Sequence, residues 1–300
     1  YRGKLTMIVT LKNHTMTAQI DSIGAQLISL KSKSGTEYIW QRDPAHWKSS
    51  SPILFPTVGN CRDGKYTLNG QIYSIPKHGF CRNADFAVSV LSEQEASFIL
   101  TDSPETRAHY PFAFHLKLTY ALTEDGIRIH YTVTNPGTGP MYYQLGAHPG
   151  FNCPLHSGER FEDYVLEFEQ EGTAGYHSYD LNRMEFNMNS YTPILDHAAV
   201  IPLTHELFAN DAIFFTDLRS KKVALKNQAT GYGVEVSYPD FATVALWTAA
   251  ATKAPFLCVE PWNGSAIRSD EDDNFLNRHF LQKVESGESK EYQIWIKKIS

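Results

Sequence analysis

Short runs in which apolar and polar residues alternate recur along the whole chain, and they constrain the fold more than any other feature. Ile127, Ile129, Tyr131 and Val133 interleave with Arg128, His130, Thr132 and Thr134, so one face of this run is buried and the other is wet or packed on polar groups. Comparable runs stand at residues 6–11, 17–20, 26–31, 37–40, 84–91, 96–101, 114–122 and 141–146, and again at 212–215, 222–226, 233–237, 243–247, 256–260 and 291–299. Turn residues separate them, as in Asn69-Gly70, Glu124-Asp125-Gly126 and Asn135-Pro136-Gly137, and the first of these, between residues 66–68 and 71–75, is a strong two-residue hairpin signal. Helical signals are limited to a turn at Asp43–Trp47 and another at Leu203–Phe208 capped by Thr204. About seventeen short strands with almost no helix predict an all-β fold of stacked antiparallel sheets rather than α/β alternation. Residues 158–203 are the least regular, with one strand at 164–168 followed by a polar stretch, and read as a long excursion over the sheet surface. No repeat, linker or composition shift divides the chain. A single large antiparallel β-sandwich domain is therefore expected over residues 7–300, with residues 1–6 ahead of Met7 reading as an expression remnant or a variable leader.

Composition removes several classes of function. The net charge is −6 and no basic run is present, so neither nucleic acid nor an anionic membrane is an expected partner. No apolar run approaches the ~18 residues of a membrane span, and the first residues lack the apolar core of a signal peptide, which points to a cytoplasmic protein. Cys61, Cys81, Cys153 and Cys258 form no C-x-x-C pair and are too sparse for a disulfide framework. With no local spacing of the C-x-x-C or H-x-x-x-H kind, no metal site is expected, and the thiols read as small buried side chains near a pocket.

Three segments share one form, an apolar run that ends in a polar residue beside Gly or Pro. They are Gly146-Ala147-His148-Pro149-Gly150-Phe151, Ile75-Pro76-Lys77-His78-Gly79-Phe80, and Phe256 to Gly264 with Glu260-Pro261-Trp262-Asn263 inside it. Pro149 cannot donate to a sheet ladder, so His148 stands where pairing must stop and its ring is presented at a sheet edge or mouth. Taken alone, a histidine there is more often a turn residue, and Glu260 alone is more often a salt-bridged structural carboxylate. Three such ends together suggest one shared site. Glu260, at the end of an apolar strand, would be partly buried and so a stronger base. Trp262, Phe80 and Phe151 lie within two or three residues of these polar groups and could stack on the apolar face of a sugar, although ordinary core is the plainer reading for Phe80 and Phe151.

These segments, together with Asn60-Cys61-Arg62 and His78-Gly79-Phe80-Cys81-Arg82, appear in an order that resembles the aldose 1-epimerase (galactose mutarotase) superfamily, and within it the LacX-like branch, over roughly residues 7–299. The resemblance implies a β-supersandwich that interconverts the α and β anomers of an aldohexose without a cofactor. It implies Glu260 as the base at the C1 hydroxyl and His148 as the acid at the ring oxygen, with His78 and Arg62 orienting sugar oxygens. An aspartate would hold distal hydroxyls; Asp211 is the first choice and Asp217 the competitor. Some members act on hexose 6-phosphates, for which Arg62, Lys77 and Arg82 could supply cations; Arg82 could equally pair with Asp85. A carbohydrate-binding sandwich without catalysis is the alternative from another class. A glycoside hydrolase fits less well, because it usually needs two facing carboxylates.

Overall fold

The structure, a computed structural model, describes residues 6–300. The leader expected over residues 1–6 thus falls, apart from Thr6, outside the described residues. Alternation produces two large antiparallel sheets. Nine strands form the first, in the spatial order Thr192–Pro202, Tyr164–Tyr176, Lys222–Asn227, Gly233–Ser237, Ser289–Ile299, Gly126–Thr134, His115–Leu122, Glu95–Thr101 and Ala87–Val90. The second runs Ile213–Phe215, Thr243–Trp247, Phe256–Asn263, Leu145–Ala147 and Ile53–Leu54, and Gly150–Asn152 also pairs with Phe256–Asn263. Phe168 of the first sheet meets Phe215 of the second edge to face at 6.3 Å, and Leu116, Ile129 and Ile294 share one buried cluster with Leu246, Leu257 and Val259. Each such side chain contributes about 1.5–3 kcal/mol when fully buried.

The second sheet is buried on both faces, and this decides where chemistry can sit. All eight residues of Phe256–Asn263 are buried. Because neighbours on a strand point to opposite faces, Leu257 and Val259 enter the main core. Cys258 and Trp262 face outward into two smaller clusters, one with Trp40 and Phe256 and the other with Phe186 and Phe214. Glu260 lies on that outer face between them. The outer face is therefore roofed by loops and a small hairpin, and a pocket opens beneath the roof.

Several expectations need correction. Residues 158–203 are not an irregular excursion: Tyr164–Tyr176 and Thr192–Pro202 form a long pair at the edge of the nine-stranded sheet. Three register shifts interrupt that pair, and bulges break the period of two, which is why only residues 164–168 looked like a strand. Residues 37–40 make isolated bridges through Glu37 and Ile39 rather than a strand. The run 141–146 is divided, with Met141–Tyr143 pairing to Gln282–Val284 and Leu145–Ala147 joining the second sheet. Short strands missed in the sequence raise the number to twenty-four among the described residues. Asn69-Gly70 does form the tight hairpin turn, with φ of 50° and 78°, and Thr204 does cap His205–Phe208. No helix among the described residues is long and apolar enough to cross a membrane.

Candidate active site

Gly146 opposes Trp262 and Gly150 opposes Cys258, and this common register places His148 opposite Glu260. The break between Leu145–Ala147 and Gly150–Asn152 falls at His148-Pro149, and Val259 N–H donates to the Pro149 carbonyl at 3.2 Å to hold the gap closed. Glu260 is therefore not at a strand end, as its proline neighbour suggested; the strand continues through Pro261 to Asn263. Pro261 is tolerated there because it lies beside the break in the neighbouring strand. Directly opposed residues have Cβ atoms only ~4.5–5.5 Å apart, and His148 Nε2 lies 3.1 Å from Glu260 Oε2, both side chains almost fully buried. The approach is within ion-pair range but its alignment leaves Oε2 without a hydrogen bond, and His148 Nδ1 is also buried without a partner.

Aromatic rings fix the imidazole. Trp47 stacks on His148 at 4.9 Å, Trp247 meets it edge-on at 5.8 Å, and the His78 ring lies edge-on at 5.6 Å. Trp47 is itself held by the Trp40 indole N–H, which donates to its carbonyl at 2.8 Å.

His78 sits on a tight turn with φ of +68°, followed by Gly79 at +73°. Its backbone N–H donates to the Gly59 carbonyl at 2.6 Å, and Gly59 N–H donates to His78 Nδ1 at 3.0 Å. Because Nδ1 accepts a backbone donor, the neutral ring carries its proton on Nε2. Burial, then His148, Lys77 and Arg82, push the His78 pKa well down, so this ring is a neutral N–H donor. Gly59 has φ of +67°, and a Cβ there would lie 2.3 Å from Ala266 Cα. Gly59→Ala is expected to destabilise the fold by more than the ~1 kcal/mol of an ordinary left-handed alanine, read as a lower midpoint in urea.

Between these groups opens a cavity of about 270 Å³, near the lower end of the ~300–1,000 Å³ usual for small-molecule sites. His78, His148, Glu260, Arg82, Asp211 and Trp262 all line it. Lys77 joins them, with Trp47, Trp247, Tyr179 and Phe186 as further aromatic walls. Asp211 adopts φ of +74° after a short 3-10 turn. Asp217 accepts instead from the Tyr191 hydroxyl at 2.8 Å and borders a separate surface groove. Arg82 donates to Ser49 Oγ at 3.0 Å.

Arg62 is the predicted site residue that does not reach the cavity. Its guanidinium is committed to Glu185 at 3.0 Å and Asp273 at 2.7 Å, so the expectation that it orients substrate oxygens is corrected. Phe151 belongs to the main core, and Phe80, partly buried, packs against it. Trp47, Tyr179 and Phe186 escaped the sequence reading because they come from a loop and a hairpin whose apolar residues carry no period, whereas Trp247 ends the strand Thr243–Trp247, where alternation marks two faces but not which of them meets a cavity. Lys77, weighed in the sequence only as a cation for a 6-phosphate, does stand on the cavity wall.

Burial pushes the Glu260 pKa well up, with Asp211 adding to the rise and Lys77 and Arg82 opposing it. Burial pushes the His148 pKa well down, and Arg82 lowers it further. The pair therefore resists both a net positive and a net negative state. Cys258 brings a sulfur within 4.8 Å of ligand atoms of both residues, a grouping drawn from two paired strands that local spacing could not reveal. Burial holds that thiol well above its usual range, and two cationic side chains, Lys77 and Arg82, share the cavity wall. The chemistry of the group suits proton transfer.

The sequence description of the aldose 1-epimerase family matches residues 7–272. The chain belongs to that family. It is 34% identical over 284 residues to the chromosomal protein LacX of Lactococcus lactis subsp. lactis, covering 93% of this chain and 95% of that one. Its structure superposes on a galactose mutarotase related enzyme from Lactobacillus acidophilus with a TM-score of 0.92 at 30% identity, covering 98% of each chain. A galactose mutarotase-like protein from Lactobacillus casei gives 0.90 at 28% identity, covering 98% of this chain and 100% of the other. Family membership suggests an isomerase and implies a sugar as substrate.

Proposed function

We propose that this protein is an aldose 1-epimerase that interconverts the α and β anomers of an aldohexose by ring opening and reclosure. The observation that carries the reading is the His148 Nε2–Glu260 Oε2 approach of 3.1 Å inside an aromatic cavity. Ring opening needs one proton removed from the C1 hydroxyl and one delivered to the ring oxygen, with the C1–ring oxygen bond breaking to an aldehyde. Glu260 takes the first and His148 gives the second. The open chain turns about C1–C2 and recloses by the reverse transfers. Before opening the pair is carboxylate and imidazolium; afterwards it is carboxylic acid and imidazole. Burial disfavours charge, so the pocket stabilises the neutral form that accompanies the aldehyde. His78 donates its Nε2 proton to a sugar oxygen, Asp211 and Arg82 bind further hydroxyls, and Trp262 supplies an apolar wall. The same reading takes residues 7–300 as one mutarotase-like domain working in the cytoplasm on a small sugar, without a cofactor.

A bell-shaped pH profile of kcat/KM is expected. Adding a second proton to the pair creates a buried positive charge, so the acid limb falls below the ~6.5 of an ordinary histidine. Removing the shared proton leaves a buried carboxylate, so the alkaline limb lies well above the ordinary carboxylate range. Polarimetry of freshly dissolved α-glucose and α-galactose across pH checks both limbs; a flat profile at the buffer rate contradicts the reading.

A hexose 6-phosphate is the second reading, favoured by the presence of both Lys77 and Arg82 on the cavity wall. It expects α-glucose 6-phosphate and α-galactose 6-phosphate to outrun the free sugars, and Lys77→Met to remove that advantage.

A further inference from the structure

Asn60-Cys61-Arg62 lies outside the catalytic pair, yet the side chains of Asn60 and Arg62 are tied to the wall of the cavity. That wall is a small hairpin in which Tyr179–Asp180 pairs with Glu185–Phe186. Two residue pairs cannot hold a hairpin by themselves, so its position depends on what it is fastened to. Tyr179 Oη donates to Asn60 Oδ1 at 3.0 Å, and Asn60 Nδ2 donates to the Met184 carbonyl at 2.6 Å. Arg62 bonds Glu185 with one arm of its guanidinium and Asp273 with the other. Glu185 is 5% exposed, and Arg183 reaches it only at 3.7 Å, so Arg62 is its main counter-charge. On the far side, Phe186 N–H donates to the Ile267 carbonyl and Ser269 N–H to the Phe186 carbonyl, both at 2.9 Å.

The inner face of the hairpin carries Tyr179 and Phe186 into the cavity. Phe186 stacks on Phe214 at 4.7 Å, and Phe214 packs on Trp262 at 5.7 Å, which makes a continuous aromatic wall. His148 and Glu260 are fixed instead by the sheet. We propose that Asn60 and Arg62 are positioning residues that latch the Tyr179–Phe186 hairpin over the cavity, and that this latch sets how tightly the sugar is held. The part that concerns sugar rests on the epimerase reading; the latch itself does not.

Two measurements separate these parts. The first is hydrogen exchange of the full chain, which needs no substrate. Arg62→Met is expected to speed exchange at residues 179–187 while leaving the two large sheets unchanged, with Arg62→Lys intermediate because it keeps the charge and loses the fork. Unchanged exchange in that segment in both Arg62→Met and Asn60→Ala overturns the latch whatever the protein catalyses. The second is anomer interconversion kinetics in a double-mutant cycle of Arg62→Met and Glu185→Gln. Glu185 does not line the cavity, so direct contact of Arg62 with sugar predicts that Glu185→Gln keeps the wild-type KM. The latch predicts that each single variant raises KM by roughly 10- to 100-fold with kcat within about threefold, and that the double variant is no worse than the poorer single. Faster exchange with an unchanged KM keeps the latch and overturns its role in holding substrate. Loss of kcat with KM unchanged contradicts that role as well.

Discussion

On the epimerase reading, Glu260→Gln is expected to lower anomer interconversion by about 10²- to 10⁴-fold, the range of a general base in the transition state, and to leave KM close to wild type. Gln keeps the shape and the polar contacts of the carboxylate but cannot take the C1 proton. The loss does not come from unfolding. The Glu260 pKa is raised by burial, so between the ordinary carboxylate value and the raised one the native state holds a proton that the unfolded chain has released. This contribution to stability is full at low pH and declines as pH rises through that window. Glu260→Gln removes the decline, and its urea midpoint at neutral pH is expected to equal or exceed that of wild type. The His148 term has the opposite sign: its pKa is lowered, so stability falls as pH drops below the ordinary histidine value. The first measurement is stopped-flow polarimetry of the variant beside wild type, and the second is denaturation of both at several pH values. A variant that retains wild-type kcat would remove Glu260 from the mechanism.

Arg278→Met is expected to cost about 3–5 kcal/mol of stability, because it strips the counter-charge from a buried carboxylate. Arg278 Nε lies 3.2 Å from Glu271 Oε2, with both side chains almost wholly buried. The same guanidinium donates to Cys61 Sγ at 3.2 Å and to the Ser265 carbonyl at 2.6 Å. Glu271 also accepts from His279 N–H at 2.6 Å, and Gln144 links the His279 carbonyl to Val58 N–H. This network lies directly behind the Val58–Arg62 segment, whose Gly59 fixes the tautomer of His78. The loss is expected to appear as a lower urea midpoint together with a raised KM. A double variant, Arg278→Met with Glu271→Leu, should recover the part of the loss due to the orphaned charge but not all of it, since His279 N–H and Arg268 N–H lose their carboxylate acceptor.

The reach of the sequence can be judged from particular residues. Alternation at Ile127–Val133 announced a sheet with one buried face, and Gly126–Thr134 is such a strand. Pro149 announced the break that frees His148, because its missing N–H cannot donate to the ladder. Pro261 was misleading for the same reason, since whether a missing N–H ends a strand depends on whether the neighbour is broken at the same place. That is a property of two strands more than a hundred residues apart. The register bringing His148 opposite Glu260 was likewise invisible until both were paired, although the motifs carrying them were legible. Arg62 stood in a motif that suggested a substrate contact, and only its partners Glu185 and Asp273, more than a hundred residues away, reveal where its charge is committed. Trp47, Tyr179 and Phe186 sit on connections where no periodicity marks an inward face.

The central claim is tested most directly by exchange NMR of the α and β anomeric protons of glucose, galactose and their 6-phosphates, with wild-type protein at equilibrium. The account predicts that wild type speeds magnetisation transfer between the two anomers of at least one of these sugars while leaving their equilibrium ratio unchanged. Transfer at the buffer rate for every sugar, with line broadening or calorimetry still reporting binding in the cavity, would contradict it and leave a carbohydrate-binding protein in its place.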